Sequence, residues 1–503
     1  MSSLGLVIEK LIYYGRKHLD LNELDALYLR NILLNKFNLS APDNTDFDHS
    51  LIDNLLVPDT LINELKEALI EKGLENAELL VTEVMGLISP LPSIVQDKVL
   101  SLEKEKPGLG LDYLFNLQIK NYYIQKTAID RNIYFKKEYG DNFLEITINL
   151  SKPEKNNKDI AKLLTKTPTD KFPRCLLCKE NLGYGGRKDH PCRTNIRIVP
   201  FLLNDEKWFL QYSPYAYFDH HAIIINENHH NMIINEGTFK KLLEFVDKFP
   251  TFFIGSNADL PIVGGSILDH EHYQGGLHLL PMFYAKDREI IYQKDNLKIS
   301  ILEWYNSVIK IESTKQEEIL LIANKILNNW INYDNEEIDI ISHSGDIRHS
   351  TITPLARKIG NKFALYLILR NNRTNEKYPE GIFHAHPKYH HIKQEGIGLI
   401  EATGLFILPP RLKRQMGYIK EILSGSLTVS EAFNKYEDLA IHQEMVTKLV
   451  DLYGLKNSLE KANEVINDYL AKTCQNILKN TAVFKNTEVG NKYFKVFIES
   501  CLK

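Results

Sequence analysis

The chain has 503 residues, 44% of them apolar and 25% charged, an ordinary globular balance that excludes a disordered polymer and leaves room for roughly two to four structural units. A formal net charge of −4 excludes a global attraction to nucleic acid, so any phosphate site has to be local. Five cysteines are too few for a disulfide framework in a chain of this length and point to a reducing compartment.

The first ten residues meet charge before the apolar run is long enough for a signal peptide, and nothing reaches the roughly 18 apolar residues of a membrane span. Lipidation signals are also missing, because the chain starts Met-Ser and ends Cys501-Leu-Lys. A cytoplasmic location away from membranes is expected. Residues 1–125 carry helical periodicity, with Leu4, Val7, Ile8 and Leu11 on one stripe and Leu24, Leu27 and Leu34 continuing it. This predicts a helical N-terminal region without chemistry of its own.

Near Phe143 the period changes to two, with Leu144, Ile146, Ile148 and Leu150 alternating with polar residues as in a half-buried strand. A Lys-, Asp- and Asn-rich connection, 152–171, leads to Cys175-Leu-Leu-Cys178, which reads as metal-binding or redox-active. Strands are predicted over 208–213 and 221–226. They are followed by a helix with Thr238 as N-cap, Phe239, Leu242, Leu243 and Val246 as its buried face and Pro250 as its stop.

Next comes Gly264-Gly-Ser-Ile-Leu-Asp-His270-Glu-His272-Tyr-Gln274-Gly-Gly276. On an extended strand His270, His272 and Gln274 project to one face while Glu271 and Tyr273 point to the other. A neutral imidazole attacks phosphorus without first losing a proton, and the flanking glycines let a large anion approach the backbone. A strand whose histidines are merely packed is the competing account of the same pattern. A second pair, His384-Ala-His386, follows the apolar run 364–370 and hints at a duplicated unit. The last 80 or so residues return to helix, with Leu459, Ala462, Val465, Ile466, Tyr469 and Leu470 on one face. The expected fold is α+β, with mainly antiparallel sheets and helices added at both ends. The expected units are 1–125, 126–300 and 301–503.

With these residues in view, the chain resembles the galactose-1-phosphate uridylyltransferases of the second, bacterial type. The likeness is densest in Cys175-Leu-Leu-Cys-Lys-Glu-Asn181, Asn195-Ile-Arg197, Gln211-Tyr-Ser-Pro-Tyr215, the block 253–266, His349-Ser-Thr-Ile-Thr-Pro354, Leu369-Arg-Asn-Asn-Arg373, Gly381-Ile-Phe-His384 and His390-His-Ile-Lys393. The resemblance implies two histidine-triad-like units per chain and a ping-pong reaction. In that reaction His272 takes uridylyl from UDP-glucose, releases glucose 1-phosphate, and hands the group to galactose 1-phosphate to give UDP-galactose. It further implies Gln274 as a donor to the phosphoryl oxygen, Asn257 and Ser266 near the phosphates, a homodimer, and no organic cofactor.

A tetrahedral zinc site needs four N or S ligands, and Cys-x-x-Cys supplies two. By the resemblance the set is Cys175, Cys178, His229 and His270. A local set using His190 or Cys192, and reduced thiols without metal, stay open, and His230 competes with His229. His384, His386, His390 and His391 match a region that holds a second metal in the first type of the enzyme. Arg187, Arg193 and Arg197 lie in a Gly- and Pro-marked loop suited to guanidinium forks on a diphosphate. Arg370, Asn371, Asn372 and Arg373 are expected at the sugar phosphate, with turn chemistry as the competing account. Two other classes remain in view. One is a histidine-triad nucleotide hydrolase or dinucleoside polyphosphate phosphorylase, which shares the nucleophile but not the acceptor. The other is a zinc-dependent nucleic-acid binder, which the acidic balance disfavours.

Overall fold

A computed structural model describes residues 2–151 and 172–503; the polar connection 152–171 lies outside them. One sheet of ten strands organises the chain. Its members in chain order are β3 (Val199–Leu203), β4 (Glu206–Tyr212), β5 (Ala222–Asn226), β6 (Phe253–Gly255), β7 (His272–Gly276), β8 (Asp287–Lys294), β9 (Leu297–Leu302), β10 (Val308–Ser313), β13 (Ser350–Ile359) and β14 (Lys362–Asn371). A smaller sheet joins β1 (Ile133–Tyr139), β2 (Asn142–Ile148) and β15 (Leu405–Leu408), and β11 (His343–Ser344) with β12 (Ile347–Arg348) forms a short ribbon.

The spatial order of the large sheet is β3-β4-β5-β7-β6-β13-β14-β10-β9-β8, and every pairing in it is antiparallel. Read along the chain, each half repeats one plan: two hairpin-linked strands at the edge, a third, a helix, and two strands inserted on the inner side. The helices are Glu236–Lys248 in the first half and Gln316–Trp330 in the second. The expected duplication is therefore present, but not where the second His-x-His suggested it. The counterpart of β7 is β14, and His384 and His386 lie beyond it in irregular chain.

The halves join where β6 pairs with β13, Gly255 opposite Leu355. A Cβ at position 255 would stand 2.5 Å from Leu399 Cδ1 and 2.8 Å from Leu355 Cγ, so glycine is what lets the seam close.

Alternation along β14 shows how the sheet is covered. Phe363, Leu365, Leu367 and Leu369 enter a core shared with the N-terminal helices and with Glu236–Lys248, Gln316–Trp330 and Glu488–Leu502. Ala364, Tyr366 and Ile368 enter the opposite core, built with Arg411–Ser424, Leu459–Thr481 and the small sheet. Helices on both faces thus bury this central strand from Phe363 to Asn371. In the first half the second face differs, because β4 and β5 there carry only a small cluster of Leu177, Phe209 and Ile225. That thinly covered face is where the histidine strand looks.

Several local expectations change. Leu24 and Leu27 are 77% and 47% exposed, and the second helix, Glu23–Lys36, buries Ala26, Leu33 and Leu34 instead. The N-cap of Glu236–Lys248 is Asn235. Its Oδ1 accepts from the Thr238 amide at 3.1 Å while Thr238 Oγ1 accepts from the Asn235 amide at 3.2 Å, a reciprocal capping box. Glu145 and Thr147, expected to face solvent, are buried, with His278 Nε2 2.7 Å from the Glu145 carboxylate. Leu459 is exposed at the start of its helix, whereas Ala462, Val465, Ile466 and Leu470 are buried. Among the described residues no single helix is long and apolar enough to cross a membrane.

Candidate functional site

The turn after residue 174 brings two thiols to two imidazoles. Cys175 Sγ lies 3.5 Å from Cys178 Sγ and 3.2 Å from His270 Nδ1, and Cys178 Sγ lies 3.2 Å from His229 Nδ1. All four donor atoms fall within 4.8 Å of one another. With zinc–sulfur and zinc–nitrogen bonds near 2.3 and 2.0–2.1 Å, the edges of a tetrahedron are about 3.3–3.8 Å. The set therefore fits that ion with small adjustments.

Both imidazoles are oriented for ligation. His270 donates Nε2–H to the Asn226 carbonyl at 2.8 Å, which leaves the Nδ1 lone pair toward the sulfurs. His229 turns Nε2 toward Asp269, 3.6 Å away. The hydrogen bond from Cys175 holds the Cys178 thiol far below its usual range, at about 3. The same sulfur contact and burial raise Cys175.

The local alternative does not assemble. His190 Nε2 meets Asn181 Oδ1 at 2.6 Å, while Asn181 Nδ2 donates to the carbonyls of Cys175 and Cys178 at 2.9 and 2.7 Å. His190 thus steadies the turn from outside. Cys192 contacts Thr194 Oγ1, and His230 is exposed.

His272 begins β7, opposite Ile225 of β5. Its Nδ1–H donates to the His270 carbonyl at 2.7 Å, so the lone pair of the neutral ring resides on Nε2. Burial drives its pKa down to about 4, and the ring is 7% exposed. Gln274 follows on the same face, where its Oε1 accepts Nε2–H of His221 at 2.9 Å; the carboxamide nitrogen is left as the donor end.

Glu271 and Tyr273 point to the opposite face. The Glu271 carboxylate is 1% exposed and binds Lys241 Nζ at 2.9 Å, Asn226 Nδ2 at 2.9 Å and Tyr273 Oη at 2.8 Å. Lys241 also reaches Glu206 at 3.1 Å. A fully paired charge network thus underlies the histidine strand. Sequence reading missed Lys241, Asn226, Asp269 and His221. A lysine within the apolar face Phe239, Leu242, Leu243 was the available signal for the first.

Asn257 is buried, and its Oδ1 accepts the Leu399 amide at 2.8 Å. Its Nδ2 would stand 2.8 Å from a Cβ at Gly265, so the carboxamide lies against the glycine loop. Ser266 is exposed at the loop tip. Arg193 lies over the Tyr123 ring, 5.6 Å from its centroid.

The other basic residues depart from expectation. Arg197 is 3% exposed, and all five of its donors are taken by carbonyls: Pro90, Thr194, Ile196, Gly86 and Ser89, at 2.6–3.3 Å. It clamps the end of an N-terminal helix and has no donor left for a phosphate. Arg187 binds Asp189, the Phe172 carbonyl and Tyr184.

In the second half Asn371 donates to the Ile341 carbonyl and Ser350 Oγ and accepts the Arg373 amide, which is turn chemistry. Arg373 pairs with Asp339. Arg370 is 1% exposed and donates to the Ile397 carbonyl at 2.7 Å. Nor do the later histidines converge on a metal. His384 Nε2 accepts the Ile397 amide, and His386 and His390 donate to the carbonyls of Ile382 and Ala385. Among the described residues the Cys175 cluster is the one metal-competent group found.

A duplicated antiparallel sheet with a His-x-His-x-Gln strand beside a Cys2His2 cluster defines a protein of the histidine-triad-like class. Two family models match, described as the N-terminal and C-terminal domains of galactose-1-phosphate uridyl transferase, over residues 35–231 and 244–433. The chain belongs to the galactose-1-phosphate uridylyltransferase family and is an enzyme of the transferase class. Relatives named galactose-1-phosphate uridylyltransferase include those of Fusobacterium nucleatum, 38% identical with 98% of each chain covered, and Clostridium acetobutylicum, 41% identical with 98% of each covered. Another from Caldanaerobacter subterraneus is 40% identical, covering 98% of this chain and 97% of its own. Among solved structures, yeast Ap4A phosphorylase Apa2 aligns over 56% of this chain and 83% of its own at 6% identity, with a TM-score of 0.29.

Proposed function

We propose that the enzyme exchanges UMP between UDP-glucose and galactose 1-phosphate through a covalent uridylyl adduct on His272. The Nε2 lone pair attacks the α-phosphorus, the bond to the bridging oxygen breaks, and glucose 1-phosphate leaves with that electron pair. Galactose 1-phosphate then attacks the same phosphorus through a phosphate oxygen, and the N–P bond breaks to return the pair to Nε2 as UDP-galactose departs. Splitting the exchange into two like displacements on one phosphorus is what a nitrogen nucleophile offers.

The observation that carries this reading is the contact from His272 Nδ1–H to the His270 carbonyl at 2.7 Å. It selects the tautomer with Nε2 unprotonated and stays in place to share the positive charge once Nε2 is bonded. The depressed pKa supports a neutral ring at pH 7. The Gln274 amide, held by His221, fits as a donor to a non-bridging oxygen without protonating the imidazole. Asn257 and the glycine loop are assigned to the diphosphate, with Arg193 and Ser266 at its rim.

Cys175, Cys178, His229 and His270 would hold zinc, which would supply structural rigidity where the chain enters β7. Because His270 offers its ring to that cluster and its carbonyl to His272, its placement governs the tautomer of the nucleophile.

The test is incubation with UDP-glucose labelled in the α-phosphate, without an acceptor. An acid-labile, base-stable adduct on the protein, lost in His272→Asn and discharged by galactose 1-phosphate into UDP-galactose, is the expected result. Label retained by His272→Asn, or released only as UMP, refutes it; the latter outcome identifies a hydrolase.

A further inference from the structure

We propose that His221 is a positioning residue for the transfer, acting through Gln274 by selecting which end of its carboxamide meets the substrate. The inference rests on the reading above, in which Gln274 donates to the phosphoryl group.

Register makes the contact. Ile223 of β5 stands opposite Gln274 of β7, so His221, two residues earlier, is the diagonal neighbour of Gln274 on the same face. Its Nε2 lies 2.9 Å from Oε1. A carboxamide oxygen only accepts, so the contact requires N–H on His221 Nε2 and directs the Gln274 NH2 elsewhere. A half-turn of the terminal torsion would exchange the two ends at almost no steric cost and offer an oxygen, in place of a donor, to an anion. Nothing in the glutamine itself opposes that turn.

His221 is built not to follow such a turn. It is 2% exposed, and its ring lies near-parallel to Tyr217 at 5.4 Å and against Phe218 at 4.4 Å. Its backbone is pinned at both ends: the His221 amide donates to the Phe218 carbonyl at 3.2 Å, and the Ser213 amide donates to the His221 carbonyl at 2.8 Å. It belongs neither to the sulfur cluster nor to the nucleophile. Its Nε2 hydrogen bond goes to a residue whose terminal amide has two near-equal orientations.

The experiment is a double-mutant cycle with a conservative rescue, read as kcat and KM for UDP-glucose with galactose 1-phosphate as acceptor. His221→Phe keeps a flat ring in the aromatic slot and removes the N–H. It is expected to lower kcat by about 10- to 100-fold with KM changed less than about threefold. His221→Gln, which offers an amide N–H at similar reach, is expected to recover most of that loss. In a Gln274→Ala background His221→Phe should add less than about twofold.

An additive cycle, or a His221→Gln variant no better than His221→Phe, overturns the inference. If His221→Phe does not fold, the comparison of His221→Gln with His221→Met in both backgrounds decides in the same way. Adduct trapping on the unaltered enzyme separates the two readings. No adduct on His272 sinks the proposed function, whereas a normal adduct with an additive cycle sinks the role of His221 alone.

Discussion

His270 serves His272 through its backbone carbonyl, which accepts Nδ1–H at 2.7 Å, while its own ring faces Cys175 at 3.2 Å. One residue thereby links the sulfur cluster to the tautomer of the imidazole two positions on. The link is stereochemical, because alternation puts both side chains on one face and leaves the intervening carbonyl within reach of the second ring.

Metal content follows from that cluster. About one zinc per chain is expected by elemental analysis of the purified enzyme, lost in Cys178→Ser and retained in Cys192→Ser, whose thiol meets Thr194 Oγ1 outside the cluster. Chelation should lower the thermal midpoint and slow adduct formation together, since the ligands lie at the entry to β7. Zinc retained by Cys178→Ser would remove the assignment.

Lys241→Met should destabilise the protein by about 3–5 kcal/mol, because the Glu271 carboxylate, 1% exposed, would lose its cation and stay buried. Adding Glu271→Gln to that variant should restore a large part of the loss. Denaturant midpoints of the two single variants and the double variant measure this, and a double variant as unstable as the sum of the singles would contradict it.

Arg197→Met is expected to cost about 3 kcal/mol or more, since five carbonyls lose a charged donor in a buried setting. KM for UDP-glucose should stay within about threefold. A large rise in KM in a variant of unchanged stability would return Arg197 to the phosphates.

Acid should weaken the fold through its buried imidazoles, His384 and His442 among them. Burial lowers His384 and His442 to about 3 from an ordinary 6.5. Between those values the unfolded chain binds protons that the folded protein excludes, so stability is full above about pH 6.5 and falls as pH drops toward 3. At pH 5 each imidazole accounts for a loss of about 2 kcal/mol. Urea midpoints at pH 7.5 and 5 test this. His442→Gln should flatten the dependence, and an unchanged slope would count against it.

How much was legible in the sequence divides along a physical line. Local periodicity marked the helical ends, and alternation placed His270, His272 and Gln274 on one face with Glu271 and Tyr273 on the other, because side-chain direction along a strand depends on the strand alone. The spacing of Cys175 and Cys178 likewise announced half a metal site. Its other half was named by resemblance, as His229 and His270, but could not be fixed from the residues alone, since His190, His229 and His230 are equivalent as residue types. Tertiary folding brought His229 to Cys178 and sent His190 to Asn181.

The basic residues show the same limit. A guanidinium in a glycine-marked loop has the same sequence signature whether it faces a phosphate or, like Arg197, a ring of main-chain carbonyls. Nor could the sequence announce His221, whose contact depends on register between β5 and β7, or the join of β6 to β13 across Gly255. What the chain determined by itself is the histidine strand and the chemical character of its two faces. Which residues orient that strand, and which charges are already paired, was decided only when segments far apart in sequence were packed against it.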